Sequence, residues 1–185
     1  METLSENLLN EIRRGFALRL DGIHGETHWE RVRENGLRLA VITGADPETV
    51  TLFAYLHDAK RQSDGWDREH GRRAAAFIQS LQGSLLQLPE KQFEQLVYAC
   101  AYHSDGLLEA DVTVQTCWDA DRLDLGRVHI RPDPNHLCTP AARDPLVIEW
   151  ALRRSQARGC GFAKVRVSCY TGCGQSLCHA AVSAA

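Results

Sequence analysis

No apolar run in this chain is long enough to cross a bilayer. The opening residues, Met1-Glu-Thr-Leu-Ser-Glu6, lack the basic start and apolar core of a secretory signal. Both absences point to the cytosol. A surplus of one charge is missing as well. The 21 Lys and Arg against 24 Asp and Glu leave a formal net charge of −3. That is too little for long-range attraction, so neither a membrane nor a nucleic-acid polymer is expected as a partner. Strand signals are absent before residue 160, and no internal repeat is found. Cysteine, by contrast, is plentiful: seven residues, an odd number. Cys100, Cys117 and Cys138 are scattered and read as small buried apolar residues in a reducing compartment. Cys160, Cys169, Cys173 and Cys178 crowd the end.

What is present suits one globular domain. The chain has 185 residues, 44% of them hydrophobic and 24% charged. A capping box at Thr3–Glu6 opens a helix expected to run to about Arg19. A second spans about Glu26 to Thr43 and is stopped by Gly44. Asp46-Pro47 supplies an N-cap and a first-turn proline for a third, which ends in His57-Asp58. Further helices are expected over about Arg68–Leu81, Glu90–His103, Val112–Leu125 and Leu146–Arg154. The four prolines between His129 and Pro145 make that stretch irregular. The expected class is all-α, a bundle of six or seven helices. It forms one domain over residues 1–155, followed by a Gly-, Ser- and Cys-rich tail over 156–185. In the tail, Val165, Val167 and Cys169 alternate like a short strand.

Each main helix aims one metal-type side chain inward along its apolar stripe. His28 lines up with Val32, Leu39 and Ala40. His57 follows Val50, Phe53 and Ala54. His70 shares a stripe with Ala74, Phe77, Ile78 and Leu81. His103 lies with Leu96 and Cys100, and Asp121 with Val114, Cys117, Trp118 and Leu125. A single histidine on an apolar face is usually a hydrogen-bonded core residue. A buried Asp58 or Asp121 is costly without a partner. One shared metal centre explains all of these positions more simply than separate structural reasons, and its imidazole and carboxylate ligands suit a first-row divalent ion.

Three local strings then carry a resemblance. His28-Trp-Glu-Arg-Val32, Leu56-His-Asp58 and Asp119-Ala-Asp-Arg-Leu-Asp124 are similar, in that order, to the ligand motifs of the HD-domain superfamily of metal-dependent phosphohydrolases. The match covers roughly residues 20–155. It implies a helical bundle holding a divalent metal (Mn, Fe, Co, Ni, Zn or Mg) on His28, His57, Asp58 and Asp121. Some branches add two histidines for a second metal, with the dyad aspartate bridging. His70 and His103 fall at those places and are expected either as second-metal ligands or as phosphate contacts.

Arg61, one turn after His57, is expected to reach phosphate with a bidentate fork. Lys60 points elsewhere, and Arg72-Arg73 read as a solvated rim. No Gly-Tyr-Pro string is present, so cyclic-dinucleotide specificity is not implied. His24 is expected to be structural or to support the ligands from behind. Asp119 faces away from Asp121 on the helix. Asp124 is expected to orient a ligand or pair with Arg122 or Arg127. His129 and His136 read as solvated loop residues. The tail's Cys169, Cys173, Cys178 and His179 have the wrong spacing for common zinc sites.

The expected activity is hydrolysis of a phosphate ester or anhydride in a small, nucleotide-type substrate. The metal makes hydroxide from water, Asp58 takes the proton, and His103 and Arg61 neutralise charge on the phosphoryl oxygens. Two alternatives stand beside it. One is a di-iron HD-type oxygenase of a small hydroxylated substrate; the other is a non-catalytic nucleotide-binding module.

Overall fold

The computed structural model describes residues 4–157. The tail's strand and zinc readings lie outside the described residues. Eight α-helices make up the described chain: α1 (Glu6–Gly15), α2 (Glu26–Thr43), α3 (Pro47–Leu56), α4 (His70–Leu81), α5 (Glu90–Tyr102), α6 (Val112–Arg122), α7 (Pro140–Arg143) and α8 (Pro145–Gln156). A 3-10 segment, Leu123–Val128, continues α6, and a short 3-10 turn covers Pro134–His136. Among the described residues the only β-pairing is an isolated bridge between Gln82 and Leu86. The class is all-α.

Several boundaries differ from the sequence reading, and three differences have a clear local reason. Helix α1 stops at Gly15 rather than Arg19, because Phe16 turns extended and sets its ring edge-on against Trp29 at 5.1 Å. Helix α3 ends at Leu56 with His57 as its C-cap, so Asp58 and Arg61 lie beyond the helix instead of on its face. The proline-rich stretch is not simply irregular. Pro134, Pro140 and Pro145 each sit at the start of a helix, capped by the side chains of Asp133, Thr139 and Asp144. A proline at the first turn sacrifices no hydrogen bond and is already set to the helical φ, so these prolines begin helices instead of breaking them.

The main core buries Trp29, Phe53, Leu56, Ile78, Leu96 and Trp118 between α2, α3, α4, α5 and α6. A smaller cluster of Leu39, Leu123, Leu137, Val147 and Ile148 fixes α8 and the 3-10 segment against α2. Asp119, expected to face away from the ligands, does so and is fully buried. It accepts from the backbone amides of Cys138 and Thr139 at 2.6 and 2.8 Å and from the Thr139 hydroxyl at 2.7 Å. That anchors the loop before α7 to α6.

The helices are arranged so that their ends meet. His28 lies in the first turn of α2, His57 and His103 cap the C-termini of α3 and α5, His70 starts α4, and Asp121 lies in the last turn of α6. Gly71 lets two of these ends touch. A β-carbon there would stand 2.6 Å from the Cys100 carbonyl oxygen and 2.9 Å from that of Ala101. Only glycine allows α4 to lie this close to the backbone of α5, and the contact sets His70 beside His103.

Candidate metal centre

The imidazoles at these helix ends share one device. His57 donates its Nδ1–H to the carbonyls of Ala54 and Phe53, both at 3.1 Å. His103 donates its own to Cys100, at 2.8 Å. The Nδ1–H of His70 goes to the Asp67 carbonyl. In each case a carbonyl three residues back fixes the tautomer, because a carbonyl can only accept. His28 is fixed from farther away: its Nδ1–H is donated to Asp124 Oδ2 at 2.7 Å. All four rings therefore turn Nε2 toward a common interior, the arrangement in which histidine ligates metal.

The Nε2 atoms of His28 and His57 are 3.1 Å apart, and those of His70 and His103 are 2.8 Å apart. Burial pushes the titration of His28 well below its ordinary value, reinforced by Arg127 and His57; burial pushes His57 down as well. Both rings are thus neutral, with Nδ1–H already engaged, and two lone pairs face one another. A proton on one ring relieves that at an electrostatic cost in so buried a place, and a divalent cation between the two relieves it without one. Asp121 Oδ1 lies 3.5 and 3.9 Å from the two nitrogens, and Asp58 Oδ2 lies 3.8 and 3.7 Å from them. Ligands about 2.1 Å from one ion stand roughly 3.0–3.4 Å apart, so the set fits a single divalent ion after small adjustments.

The second pair differs. Burial and His103 push His70 down to about 4. Burial also works against a charged His103, but the carboxylates of Asp58 and Asp121 outweigh it and the net direction is up. A proton on His103 Nε2 would lie within hydrogen-bond reach of His70 Nε2. Asp58 Oδ1 lies 3.3 Å from His70 Nε2 and 3.8 Å from His103 Nε2. Asp58 thus turns one oxygen toward each pair. Its own titration is held well below the carboxylate range: burial opposes this, and the neighbouring imidazoles overcome it, His57 foremost.

Around this core the structure places residues that the sequence reading left at the margin. His24 is buried, with Nδ1 2.8 Å from Asp58 Oδ2. Asp124 does orient His28, yet its main partner is Arg31, whose Nε and Nη2 reach its two oxygens at 2.6 and 3.0 Å. Arg31 is the arginine of the His-x-x-Arg-Val string, and its role was concealed because Asp124 is 93 residues away. Arg122, one expected partner of Asp124, instead bonds the carbonyls of His136 and Leu107. Arg127 Nη1, the other, lies 3.8 Å from Asp124 Oδ2 and 3.9 Å from Asp121 Oδ1. His129 and His136 are exposed and stand outside the clusters. Lys60 lies over the Phe77 ring, while Arg72 pairs with Glu69 and Asp105, and Arg73 with Asp67.

The His/Asp cluster opens into a cavity of about 670 Å³, lined among others by Asp58, His70, His103, Asp121, Arg127 and Trp66. That volume suits a small molecule. Asp58, Asp121 and Asp124 are matched by Arg61, Arg127 and Arg31, which touch them. The metal-free site is close to charge balance, so each divalent ion adds net positive charge.

An all-α bundle that gathers His28, His57-Asp58 and Asp121 at one end of its helices has the architecture of an HD domain. Among solved structures, the chain is similar to a predicted HD superfamily hydrolase from an uncultured Thermotogales bacterium. The two share 25% identity with a TM-score of 0.62, over 80% of this chain and 84% of the other. This bears out the HD-domain resemblance and carries it from short strings to most of the fold. No protein-family model matches the chain, and no curated protein does. Among the described residues, no helix is long and apolar enough to cross a membrane.

Proposed function

We propose that this chain is a metal-dependent hydrolase of a small phosphate ester or anhydride, with a nucleotide-type substrate. The observation that carries this reading is the facing pair of neutral imidazoles, His28 and His57, closed by Asp58 and Asp121 at the floor of an open cavity. The similarity to a predicted HD hydrolase supports hydrolysis. His28, His57, Asp58 and Asp121 would hold a divalent ion, which would supply Lewis acidity and lower the pKa of water toward neutral pH.

The side chains account for the rest. Asp58 faces both imidazole pairs and takes the proton of the attacking water. His103, when protonated, offers an N–H toward a phosphoryl oxygen. With a second ion it becomes a ligand together with His70 and Asp58. A site that is neutral before loading becomes cationic after it, which favours a dianionic phosphate in the cavity. Trp66, 88% exposed at the cavity rim, supports a substrate with a planar ring: an indole this open to water has a face to offer for stacking.

The test is metal-dependent phosphate release. Metal-free protein is reloaded with each of the six ions and offered nucleotides and simple phosphomonoesters. Release that requires metal and vanishes in Asp58→Ala is expected. No release with any ion overturns the assignment. The paired sets sharing Asp58 also keep the oxygenase alternative in play, and oxygen uptake by the iron-loaded protein distinguishes it.

A further inference from the structure

Two buried guanidinium groups line the cavity, and their donors are used very differently. Arg61 is nearly spent. Its Nε donates to the Ser63 carbonyl at 2.9 Å, and Nη2 to the Gly65 carbonyl at 3.0 Å. Its Nη1 reaches His70 Nε2 at 3.1 Å and Asp58 Oδ1 at 3.4 Å. Four of the five N–H groups of an arginine are thereby directed at the protein. The loop it grips is pinned at a second point, where Asp67 accepts from the Gln62 amide at 2.9 Å and from Arg73 at 2.6 Å. Arg61 is placed as a strut between Asp58 and the loop that carries Trp66.

Arg127 is placed otherwise. Its Nε donates to the Ile23 carbonyl at 3.0 Å and its Nη1 to the Asp124 carbonyl at 3.2 Å. Among the described residues Nη2 has no partner, although the side chain is only 9% exposed. The two N–H groups of Nη2 therefore remain without a protein partner, on a fixed, nine-tenths buried guanidinium that lines the cavity beside Asp121. The two bonds already made hold the group in place, so little side-chain freedom is lost when a ligand arrives. Binding of an ion at Asp121 draws that carboxylate's charge away from Arg127 and leaves the guanidinium in need of an anion.

We infer that Arg127, through its unpartnered Nη2, is the residue that holds the substrate's phosphoryl oxygens beside the metal centre, and that Arg61 positions the Trp66 loop instead. The inference rests on the phosphohydrolase reading for the identity of the anion, but its test does not depend on turnover. Inorganic phosphate is titrated calorimetrically into the metal-loaded full chain and into R127A, R127K and R61A, with the metal affinity of each measured separately. R127A is expected to bind phosphate about tenfold or more weakly, the worth of one lost charge-assisted hydrogen bond or more. R127K is expected to recover part of that loss. R61A is expected to lose clearly less phosphate affinity than R127A, while the 62–67 loop becomes more open to proteolysis. Where R127A fails to fold, R127Q replaces it.

The inference is overturned if R127A binds phosphate as tightly as the unmodified chain, if R61A is the variant that loses it, or if the loaded chain binds no phosphate at all. A kinetic readout follows from the same assignment: R127A should raise KM by more than it lowers kcat, which a merely structural defect would not do. Failure of the loaded chain to release phosphate from any ester, with phosphate binding still dependent on Arg127, would remove the hydrolase reading and leave the anion site standing.

Discussion

Replacing Asp124 by asparagine tests the logic of the centre without touching a ligand. Asp124 is 1% exposed and serves two partners at once: His28 through Nδ1–H, and Arg31 through two N–H groups. An asparagine keeps the shape but offers one acceptor oxygen. If that oxygen stays with Arg31, the amide NH₂ faces His28 and forces its Nδ1 to accept. The proton then moves to Nε2, where the metal ligand lone pair should be. If the oxygen turns to His28 instead, it still accepts from Arg31 Nη2, but Arg31 Nε is left facing the amide NH₂, donor against donor, and the ion pair is gone. The first case costs about 10–100-fold in metal affinity, the usual size of losing a carboxylate behind a ligating histidine. The second costs about 3 kcal/mol of fold stability, the usual size of breaking a buried ion pair. Chelator competition reads the first and thermal denaturation of metal-free protein reads the second. A variant with unchanged metal affinity and unchanged melting would refute the claim that Asp124 sets the His28 tautomer.

Other consequences follow from the same geometry. Gly71→Ala should lower stability by about 2 kcal/mol through overpacking against the α5 carbonyls. It should weaken binding at the His70–His103 pair more than at the His28–His57 pair, seen as loss of a second equivalent in metal titration; equal loss at both would refute the assigned contact. His28, His57 and His70 titrate below the ordinary 6.5 and His103 above it. The three lowered groups add stability above pH 6.5 that is lost as pH falls toward their folded values, about 4 for His70. His103 acts oppositely, its contribution full below 6.5 and lost as pH rises through its raised value. With three against one, metal-free protein should melt lower at pH 5.5 than at pH 7.5, and the reverse order would refute the neutral-imidazole assignment. Burial raises the thiol of Cys138 to about 12 and raises those of Cys100 and Cys117 well above the usual range. At pH 8 the thiolate fraction of Cys138 is then about one in ten thousand. Peptide mapping after alkylation of native protein should find these three cysteines unlabelled, and rapid labelling would refute their burial.

Most helices and the ordered string His28, His57-Asp58, Asp121 were legible in the sequence, because apolar period and capping residues are local signals. Asp46-Pro47 and Gly44 mark ends that the structure keeps, whereas α1 is capped by Ser5 rather than by the expected Thr3, which lies outside the described residues. The proline-rich segment was misread because Pro134, Pro140 and Pro145 look like breakers until each is seen with the Asp or Thr before it. The supporting groups were harder. Arg31 and Asp124 lie 93 residues apart, and the Arg127 contact to Ile23 spans 104. No periodicity connects such positions, and a charged residue gives no sign in sequence of whether it is spent or free.

That contrast also says where the site depends on the whole fold. His57, His70 and His103 take their orientation from carbonyls three residues back, within the turn that carries each of them. Their Nε2 lone pairs are aimed as soon as those turns form. His28 alone is oriented by a group from the other end of the domain, 96 residues away. The facing pair of His28 and His57 is therefore the part of the centre that depends on α6 and its 3-10 extension being docked on α2. A divalent ion that binds across this pair joins two helices through their ligands, so it should raise the melting temperature of the whole bundle rather than of one segment. Protection of α2 and α6 amides from hydrogen exchange should rise together on metal addition, and protection confined to the His70–His103 end would place the tighter ion there instead.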